Sequence, residues 1–220
     1  MIQIDKLVRS RRKTLSIAVN ALGEVTVRAP LDAPMQKIER FVQEHEVWVL
    51  RTKQRKQSSG IALPSEDLQG YKLLLLGEEY TLCLYDGTAI RLDEEQKRLF
   101  LPQNRAQKRI IEWLKENAER ICKRVVERKK QEMGVDVLSV SISSARSFWG
   151  ICTAKNALRF SYRLLYAPKE VIDYVVVHEL AHVKHKNHSR QFWQEVEKYT
   201  PDWKRHRKWL KDRPLLMRIF

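Results

Sequence analysis

Two histidines and a glutamate in the C-terminal half have the types and the spacing to do chemistry. His178, Glu179 and His182 form an HExxH pattern. Residues four apart lie on one face of a helix, so both imidazoles can bind one metal ion at roughly 2.0–2.1 Å. Glu179 can then hydrogen-bond a metal-bound water and act as a general base instead of coordinating the ion. The pattern predicts a zinc-dependent hydrolase, because imidazole suits zinc and a catalytic zinc site keeps one open position. The competing interpretation is a pair of surface histidines beside a solvated glutamate.

A third ligand is needed, and the chain offers two histidines shortly downstream. In an unbroken helix His185 would lie roughly 10.5 Å from His178 along the axis, which is too far for both to bind one ion comfortably. A chain that leaves the helix after Lys184 and turns at 186–187 can bring His188 back to the ion. Asparagine at 187 tolerates the left-handed backbone that such a turn can use. We therefore favour His188 over His185 as third ligand. Two acidic alternatives further along are Glu195 and Glu197.

The elements that must position these residues follow from the spacing of apolar side chains. The C-terminal half is predicted to contain a long amphipathic helix over 104–133, strands over 137–142 and 157–166, and helices over 169–185, 189–199 and from 201 onward. Gly134 is a typical helix stop, Pro168 suits a first helical turn, and Ser189 is a typical N-cap. In this interpretation the HExxH pattern lies on the helix over 169–185.

The N-terminal half alternates apolar and polar residues more often, which is typical of strands. It is predicted to contain a hairpin over 14–29 that turns at 22–23, a helix that opens at Asp32 or Pro34 and ends near 56, a linker over 57–60, and a small antiparallel meander over 71–101. We expect an α+β fold with a β-rich N-terminal region over 1–102 and a catalytic domain over 103–220.

Composition restricts the class of protein. The 220 residues include 43% hydrophobic residues, enough for a core, and no apolar run approaches the roughly 20 residues of a membrane helix. The first residues lack a secretory signal pattern. Cys83, Cys122 and Cys152 are isolated from one another, which favours a reducing compartment. We expect a soluble cytoplasmic protein without a membrane partner.

The charge balance raises the hypothesis of a nucleic-acid partner. Lys and Arg number 42 against 27 Asp and Glu, a net charge of +15, and basic proteins attract polyanions. The basic residues are spread over 9–13, 51–56, 105–130 and 204–211, and the last cluster includes Trp209, as in single-strand binders. Spread charge is also typical of a solvated surface. No zinc-finger spacing, RNP motif or GxxG loop favours nucleic acid further.

The sequence around the HExxH pattern resembles a known family. Residues 174–192, YVVVHELAHVKHKNHSRQF, are similar to the YgjP-like metallopeptidases, which are zincins related to the SprT and WLM groups, some of whose members cut DNA-bound proteins. The resemblance extends through 201–210, 158–168, 149–150 and 11–30, and so covers nearly the whole chain. It implies a zincin-like core of an active-site helix with a small antiparallel sheet. It further implies that His178, His182 and His188 bind the metal and that Glu179 is the catalytic base.

The resemblance also implies a strand that pairs with an extended peptide substrate, and the segment 157–166 matches it. Two positions depart from the family pattern, since Phe148 and Ile151 stand where Arg and Ser are common on either side of Trp-Gly. If that segment shapes the cleft, substrate choice differs here. His185 stands where the metzincins, with the same histidine spacing, require Gly, which argues against membership of that group.

Three functions remain as hypotheses. The favoured one is a zinc metallopeptidase that acts on a protein or peptide, with Glu179 as general base toward a metal-activated water. Oxyanion or substrate contacts are expected from among Tyr162, Arg163, Tyr166 and His185. The alternatives are a DNA-associated protease that acts on nucleic-acid-bound proteins and a non-enzymatic zinc-containing nucleic-acid-binding module.

Overall fold

The computed structural model describes residues 2–19, 23–57, 64 and 67–220. Its strands are β1 Lys6–Ser10, β2 Ser16–Val19, β3 Val25–Pro30, β4 Lys72–Leu75, β5 Glu78–Tyr85, β6 Arg91–Asp93, β7 Arg98–Pro102, β8 Ser139–Ser143, β9 Gly150–Cys152 and β10 Ala157–Ser161. Its helices are α1 Met35–Glu44, α2 Glu46–Gln57, α3 Ala106–Met133, α4 Lys169–Lys184, α5 Arg190–Tyr199 and α6 Trp203–Asp212, with 3-10 turns at Tyr162–Tyr166 and Pro214–Arg218. The predicted α+β class is confirmed. Within the described ranges, every helix is too short or too polar to cross a membrane.

The chain forms two compact units. The first contains Met1–Ala62 and Asp212–Leu215, and the second contains Leu63–Lys211 and Leu216–Phe220. The boundary predicted between residues 102 and 103 falls inside the second unit. The physical reason lies in the turn after β4, where the Leu76 amide donates to the Leu165 carbonyl at 2.8 Å and the Leu76 side chain packs on the core around α4.

The first unit is a three-stranded sheet with two helices. Its strand order is β1-β3-β2, and β2 and β3 form the predicted antiparallel hairpin. Gly23 has a left-handed φ of 84°, whereas Leu22 of the predicted turn lies outside the described residues. Val25 and Val27 of β3 point into a core that also contains Ile38.

Two features of the first unit differ from the prediction. β1 pairs in parallel with β3 and was not expected from its polar sequence. The single helix predicted up to residue 56 is two helices, since His45 ends α1 before α2 begins. Of the linker predicted over 57–60, residues 58–60 lie outside the described residues.

The second unit contains a four-stranded sheet with the order β4-β5-β7-β6. Its outer pairs are antiparallel, but β5 and β7 are parallel, so the antiparallel meander predicted over 71–101 is wrong in its middle pairing. The β6–β7 hairpin joins the sheet through β7 because Leu99 and Leu101 are fully buried there, whereas Leu92 of β6 is exposed.

A second, three-stranded sheet of this unit has the order β8-β10-β9. β10 is parallel to β8 and antiparallel to β9, so the small sheet is mixed. The strand predicted over 157–166 ends at Ser161, whose hydroxyl accepts the Arg163 amide and starts a 3-10 turn. Because β10 has a neighbour on each side, the expected pairing of segment 157–166 with a peptide is also wrong. β8 and β9 are the two edge strands, and β9 is the one that contacts Glu179.

The helices of the second unit follow the sequence closely. α3 ends at Gly134, whose φ of 61° is left-handed as predicted, and α4 and α5 begin and end within one residue of the predicted limits. α4 is buried along most of its length, against α3 on one side and against Phe160 of β10. This burial fixes α4, and the HExxH residues on it, within the core of the unit.

Candidate functional site

The three histidines predicted as ligands converge at the end of α4. One ring nitrogen from each of His178, His182 and His188 lies within 4.8 Å of the others. The Nε2 atoms of His178 and His188 are 3.1 Å apart. Two nitrogens bound to one tetrahedral zinc ion at roughly 2.0–2.1 Å lie about 3.3 Å apart. The spacing of the nitrogens therefore fits a single small cation.

The chain reverses direction after α4, which brings His188 back to the helix. α4 ends at Lys184 and His185 is extended. Asn187 does not take the left-handed backbone considered for it. Its side-chain oxygen instead accepts the Ser189 amide at 3.2 Å, and the Ser189 hydroxyl accepts the Phe192 amide to cap α5. Two side-chain acceptors, one on either side of His188, thus close the turn.

A backbone carbonyl orients His182. Its Nδ1 lies 3.0 Å from the carbonyl oxygen of His185. A carbonyl can only accept, so Nδ1 carries the proton and Nε2 is left with a free lone pair. This is the usual arrangement for a metal-binding imidazole. His185 therefore contributes its backbone to the site, while its side chain is not part of the histidine cluster.

Aromatic rings hold the imidazoles in place. The ring centroid of Phe192 is 4.9, 4.5 and 4.7 Å from those of His178, His182 and His188. Trp193 stacks on His188 at 5.6 Å. The Nδ1 atom of His178 is buried without a hydrogen-bond partner among the described residues, so packing, not a second hydrogen bond, orients this ring.

Burial keeps the imidazoles of His178 and His182 neutral. The pKa of His178 is lowered to about 3, chiefly by burial and to a smaller extent by the nearby His182, His188 and Arg207. The pKa of His182 is also lowered, chiefly by burial. Metal ions bind the unprotonated form of histidine, so these two rings are ready to bind a cation at neutral pH without first losing a proton.

Glu179 lies beside this cluster and is almost fully buried, with 5% of its surface exposed. Burial raises the pKa of Glu179 to about 8, while a hydrogen bond from the backbone amide of Cys152 lowers it. β9 approaches Glu179 so closely that a Cβ on Gly150 would lie 2.8 Å from its Cγ and 2.9 Å from its Oε1. A side chain at position 150 would therefore force the Glu179 side chain to move. The carboxyl group can carry or release a proton near neutral pH.

A cleft of about 320 Å³ opens beside His178 and Glu179. Its other lining residues are Trp149, Gly150, Tyr174, Val175, Arg207, Leu210 and Lys211. Cavities of this size suit a small ligand or one side chain of a larger one. The cleft is thus lined by apolar side chains, two cations and the buried carboxyl group.

The other residues predicted as substrate contacts lie in the core. Tyr162, Arg163 and Tyr166 are at most 2% exposed, and none of them lines the cleft. The Arg163 guanidinium donates to the backbone carbonyls of Ile219 and Ser144 at 2.9 and 3.0 Å, and also to that of Phe220. These contacts give Arg163 a structural role that its place on a predicted wet strand face did not suggest.

The acidic alternatives to His188 lie on α5. Glu195 pairs with Lys184 at 2.7 Å, and Glu197 is exposed. Neither belongs to the histidine cluster.

Several residues of the site were not identified from the sequence. Tyr174 is buried one helical turn before His178, with the ring centroids 6.0 Å apart, and its spacing of four residues was the available signal. Arg207 comes from α6, and nothing in the basic cluster over 204–211 distinguished it. The contact between Gly150 and Glu179 depends on tertiary structure alone.

A larger cavity of about 470 Å³ lies between α3 and the first turn of α4. We call it the basic groove, and its lining residues are Leu76, Arg120, Ile121, Arg124, Val125, Arg128, Lys169, Ile172 and Asp173. Four of them are basic. The single acid, Asp173, pairs with Arg128 at 2.5 Å.

Comparison with known proteins gives a family match and similar solved structures, two of which are named below. The YgjP-like metallopeptidase domain matches residues 13–213. No curated protein matches the chain significantly. The metallopeptidase zymogen abylysin of Pyrococcus abyssi is 26% identical over 41% of this chain and 92% of its own, with a TM-score of 0.38. The metallopeptidase zymogen jannalysin of Methanocaldococcus jannaschii is 18% identical over 41% of this chain and 93% of its own, also with a TM-score of 0.38.

Proposed function

This chain belongs to the YgjP-like metallopeptidase family, and from that premise we propose that it hydrolyses peptide bonds with one zinc ion and Glu179 as general base. His178, His182 and His188 hold the ion in this proposal. One observation carries it: three imidazole nitrogens lie within 4.8 Å of one another, next to a buried carboxyl group that does not join them.

The donor set suits catalytic zinc better than structural zinc. A structural zinc site normally has four protein ligands, whereas in the part of the chain that the structure describes the cluster has three members. When bound, zinc would polarise a carbonyl group and lower the pKa of a coordinated water to about 7. The hypothesis of a non-enzymatic zinc-containing module is therefore less well supported by these residues.

Glu179 moves the proton in the proposed reaction. Its carboxylate takes a proton from the attacking water and returns it to the nitrogen of the leaving amine. The Cys152 amide, which bonds to the carboxyl group, holds it in one orientation. Burial excludes bulk water, and the raised pKa suits a group that must both accept and donate a proton near neutral pH.

The free edge of β9 is the proposed place for the substrate backbone. The backbone amide of Ser161 donates to the Trp149 carbonyl and that of Thr153 donates to the Ala157 carbonyl, both at 2.9 Å. In an antiparallel ladder, residues that bond to the partner strand alternate with residues that do not, so Gly150, which follows Trp149, points its N–H and C=O away from β10. An extended peptide can add to this edge next to Glu179.

The decisive variant is Glu179→Gln. We expect it to bind one zinc per chain, as measured by metal analysis after dialysis, and to lose about 10²- to 10⁴-fold in peptide hydrolysis. Glu197→Gln is the matched control, because this glutamate is exposed on α5. Normal hydrolysis by Glu179→Gln would falsify its assignment as the base.

The basic groove favours a second candidate function, in which the peptidase acts on nucleic-acid-bound proteins. Arg120, Arg124 and Arg128 lie on successive turns of α3, roughly 6 Å apart along its axis, and face a shared cavity with Lys169. Neither Arg124 nor Lys169 forms an ion pair with a described residue, whereas Lys123 on the same helix is paired with Glu119. A row of cations in which Arg124 and Lys169 lack an ion pair suits the phosphates of a single strand.

A salt series tests this second candidate. Labelled single-stranded DNA should bind the wild type with an affinity that falls steeply as salt rises, with a slope of about −0.7 per neutralised phosphate. The double variant Arg124→Glu with Lys169→Glu should bind more weakly and show a shallower slope. Lys108→Glu with Lys123→Glu is the control with the same change in net charge, since both lysines are paired with glutamates. Absence of binding by the wild type rejects the candidate.

A further inference from the structure

We propose that the cleft beside His178 selects a substrate carboxylate, which Arg207 and Lys211 bind. This inference rests on the proposed peptidase function and names the class of substrate. The carboxylate is either an acidic side chain near the cleaved bond or the carboxyl terminus of the peptide.

The first observation is the charge of the cleft. Arg207 and Lys211 lie one turn apart on α6 and both line it. Arginine is charged at any relevant pH, and its planar group matches a carboxylate with two parallel hydrogen bonds. The cleft therefore presents two positive charges on one wall, beside the reacting residues.

The second observation is that, among the described residues, Arg207 and Lys211 have no acidic partner. Glu179 is the single acidic residue that lines the cleft, and its carboxyl group accepts a hydrogen bond from the Cys152 amide. Across the described residues, neither Arg207 nor Lys211 forms an ion pair. Asp202, which directly precedes α6, pairs with Arg205 instead. The two cations are left for a ligand.

The third observation is that Arg207 is held in place. Its guanidinium lies 5.2 Å from the ring centroid of Trp193. Trp193 stacks between Trp203, at 4.2 Å, and His188, at 5.6 Å. A chain of stacked rings thus connects α6 to the histidine cluster.

The remaining walls exclude other kinds of side chain. Trp149, Val175 and Leu210 are apolar, and a lysine or arginine of the substrate would face two like charges. An apolar side chain would fit the walls but leave Arg207 and Lys211 without a partner. A carboxylate on a short apolar stem satisfies both parts of the cleft.

The experiment compares quenched-fluorescence peptides that differ in one group. The first set has an amidated C-terminus and carries Glu, Gln or Lys at each position around the cleaved bond. The second set has no acidic side chain and ends either in a free carboxylate or in an amide. We expect the Glu peptide or the free-carboxylate peptide to be cleaved with a kcat/KM at least tenfold above its neutral match. The preferred set identifies the source of the carboxylate. Equal rates for Glu, Gln and amide peptides overturn the proposal.

Variants connect the preference to the two cations. Arg207→Glu and Lys211→Glu should each remove the preference for the Glu peptide over the Gln peptide and should favour the Lys peptide. Lys198→Glu, on the exposed side of α5, makes the same change in net charge outside the cleft and should keep the preference. Retention of the carboxylate preference in both cleft variants also overturns the proposal.

A binding measurement separates this proposal from the proposed function. Fluorescence anisotropy of the same peptides with the Glu179→Gln variant reports recognition without hydrolysis. If no peptide is cleaved by the zinc-loaded wild type but the carboxylate peptides bind more tightly, the peptidase assignment fails and carboxylate recognition stands. If peptides are cleaved but carboxylates confer no gain in rate or binding, the peptidase assignment stands and the proposal of carboxylate recognition fails.

Discussion

The cleft at the histidines and the basic groove both border α4, yet they differ in the way in which their polar groups are held. His178 and Glu179 line the cleft, with His182 and His188 close to His178, and burial is the main cause that moves the pKa of His178 to about 3 and that of Glu179 to about 8. In the groove, four cations stand around an apolar floor and only Arg128 has an acidic partner in it. The groove is the larger cavity, at about 470 against 320 Å³.

The comparison shows that a reactive site is marked by polar groups that converge and are shielded from water, and not by the volume of its cavity. Groups that can bind a cation or move a proton must be brought together out of water, which perturbs them. Groups that bind a polyanion keep their charge and need only an accessible surface. The two cavities therefore suit a reaction and an association, respectively.

The largest expected effect comes from removing a histidine of the cluster. His188→Ala leaves two imidazoles, and we expect zinc to be lost with a fall in hydrolysis beyond the roughly 10- to 100-fold typical of an outer-shell change. His185→Ala should retain zinc, because only its backbone carbonyl reaches His182. Metal analysis of both variants measures this difference. Zinc retained by the first and lost by the second would reverse the assignment of the third ligand.

A smaller loss is expected from a methyl group on β9. The Cβ introduced by Gly150→Ala would lie 2.8 Å from the Cγ of Glu179, so the carboxyl group must move. A displacement of about 1 Å at a catalytic group can cost roughly 100-fold in rate. Zinc content should be unchanged, as the histidines are not displaced. Ile151→Ala, on the exposed neighbour, is the control. An active Gly150→Ala enzyme would show that Glu179 tolerates the shift.

Stability against pH gives a third test, in zinc-free protein. Glu179 has a folded-state pKa of about 8 against an ordinary 4.5. A raised carboxyl pKa stabilises the fold fully below pH 4.5, and this contribution is lost as the pH rises through 8. Glu179→Gln removes the titration, so its free energy of unfolding should exceed that of the wild type by about a few kcal/mol at pH 9. Urea unfolding with a chelator measures the difference, which should shrink toward pH 4.5. A difference that does not vary with pH contradicts the burial argument.

The smallest effect is expected when a variant of the basic groove is assayed for peptide hydrolysis at the cleft. Arg124→Glu alters the groove, and its charge is screened from the cleft beyond about 8 Å at physiological salt. We expect kcat/KM for a short neutral peptide to change less than about twofold, while affinity for single-stranded DNA falls. A large loss of peptide hydrolysis would mean that the groove and the cleft act as one site.

Much of the fold around the site was predictable because it is local. The amphipathic spacing of α3 and α4, the stop at Gly134 and the cap at Ser189 depend on neighbouring residues in sequence. The strand partners were less predictable. β5 pairs in parallel with β7, and the segment after Ser161 turns instead of extending, since the burial of Leu99, Leu101 and Arg163 is decided by distant parts of the chain.

By itself the sequence determined that His178, Glu179 and His182 share a helix and that a turn can return His188, because a helical period and a short loop are set by adjacent residues. Only the tertiary structure decided the rest. It placed β9 against Glu179, buried Arg163 beneath backbone carbonyls and brought Arg207 from α6 to the cleft. These contacts join residues far apart in the chain, and the free energy of packing that selects them has no local signature.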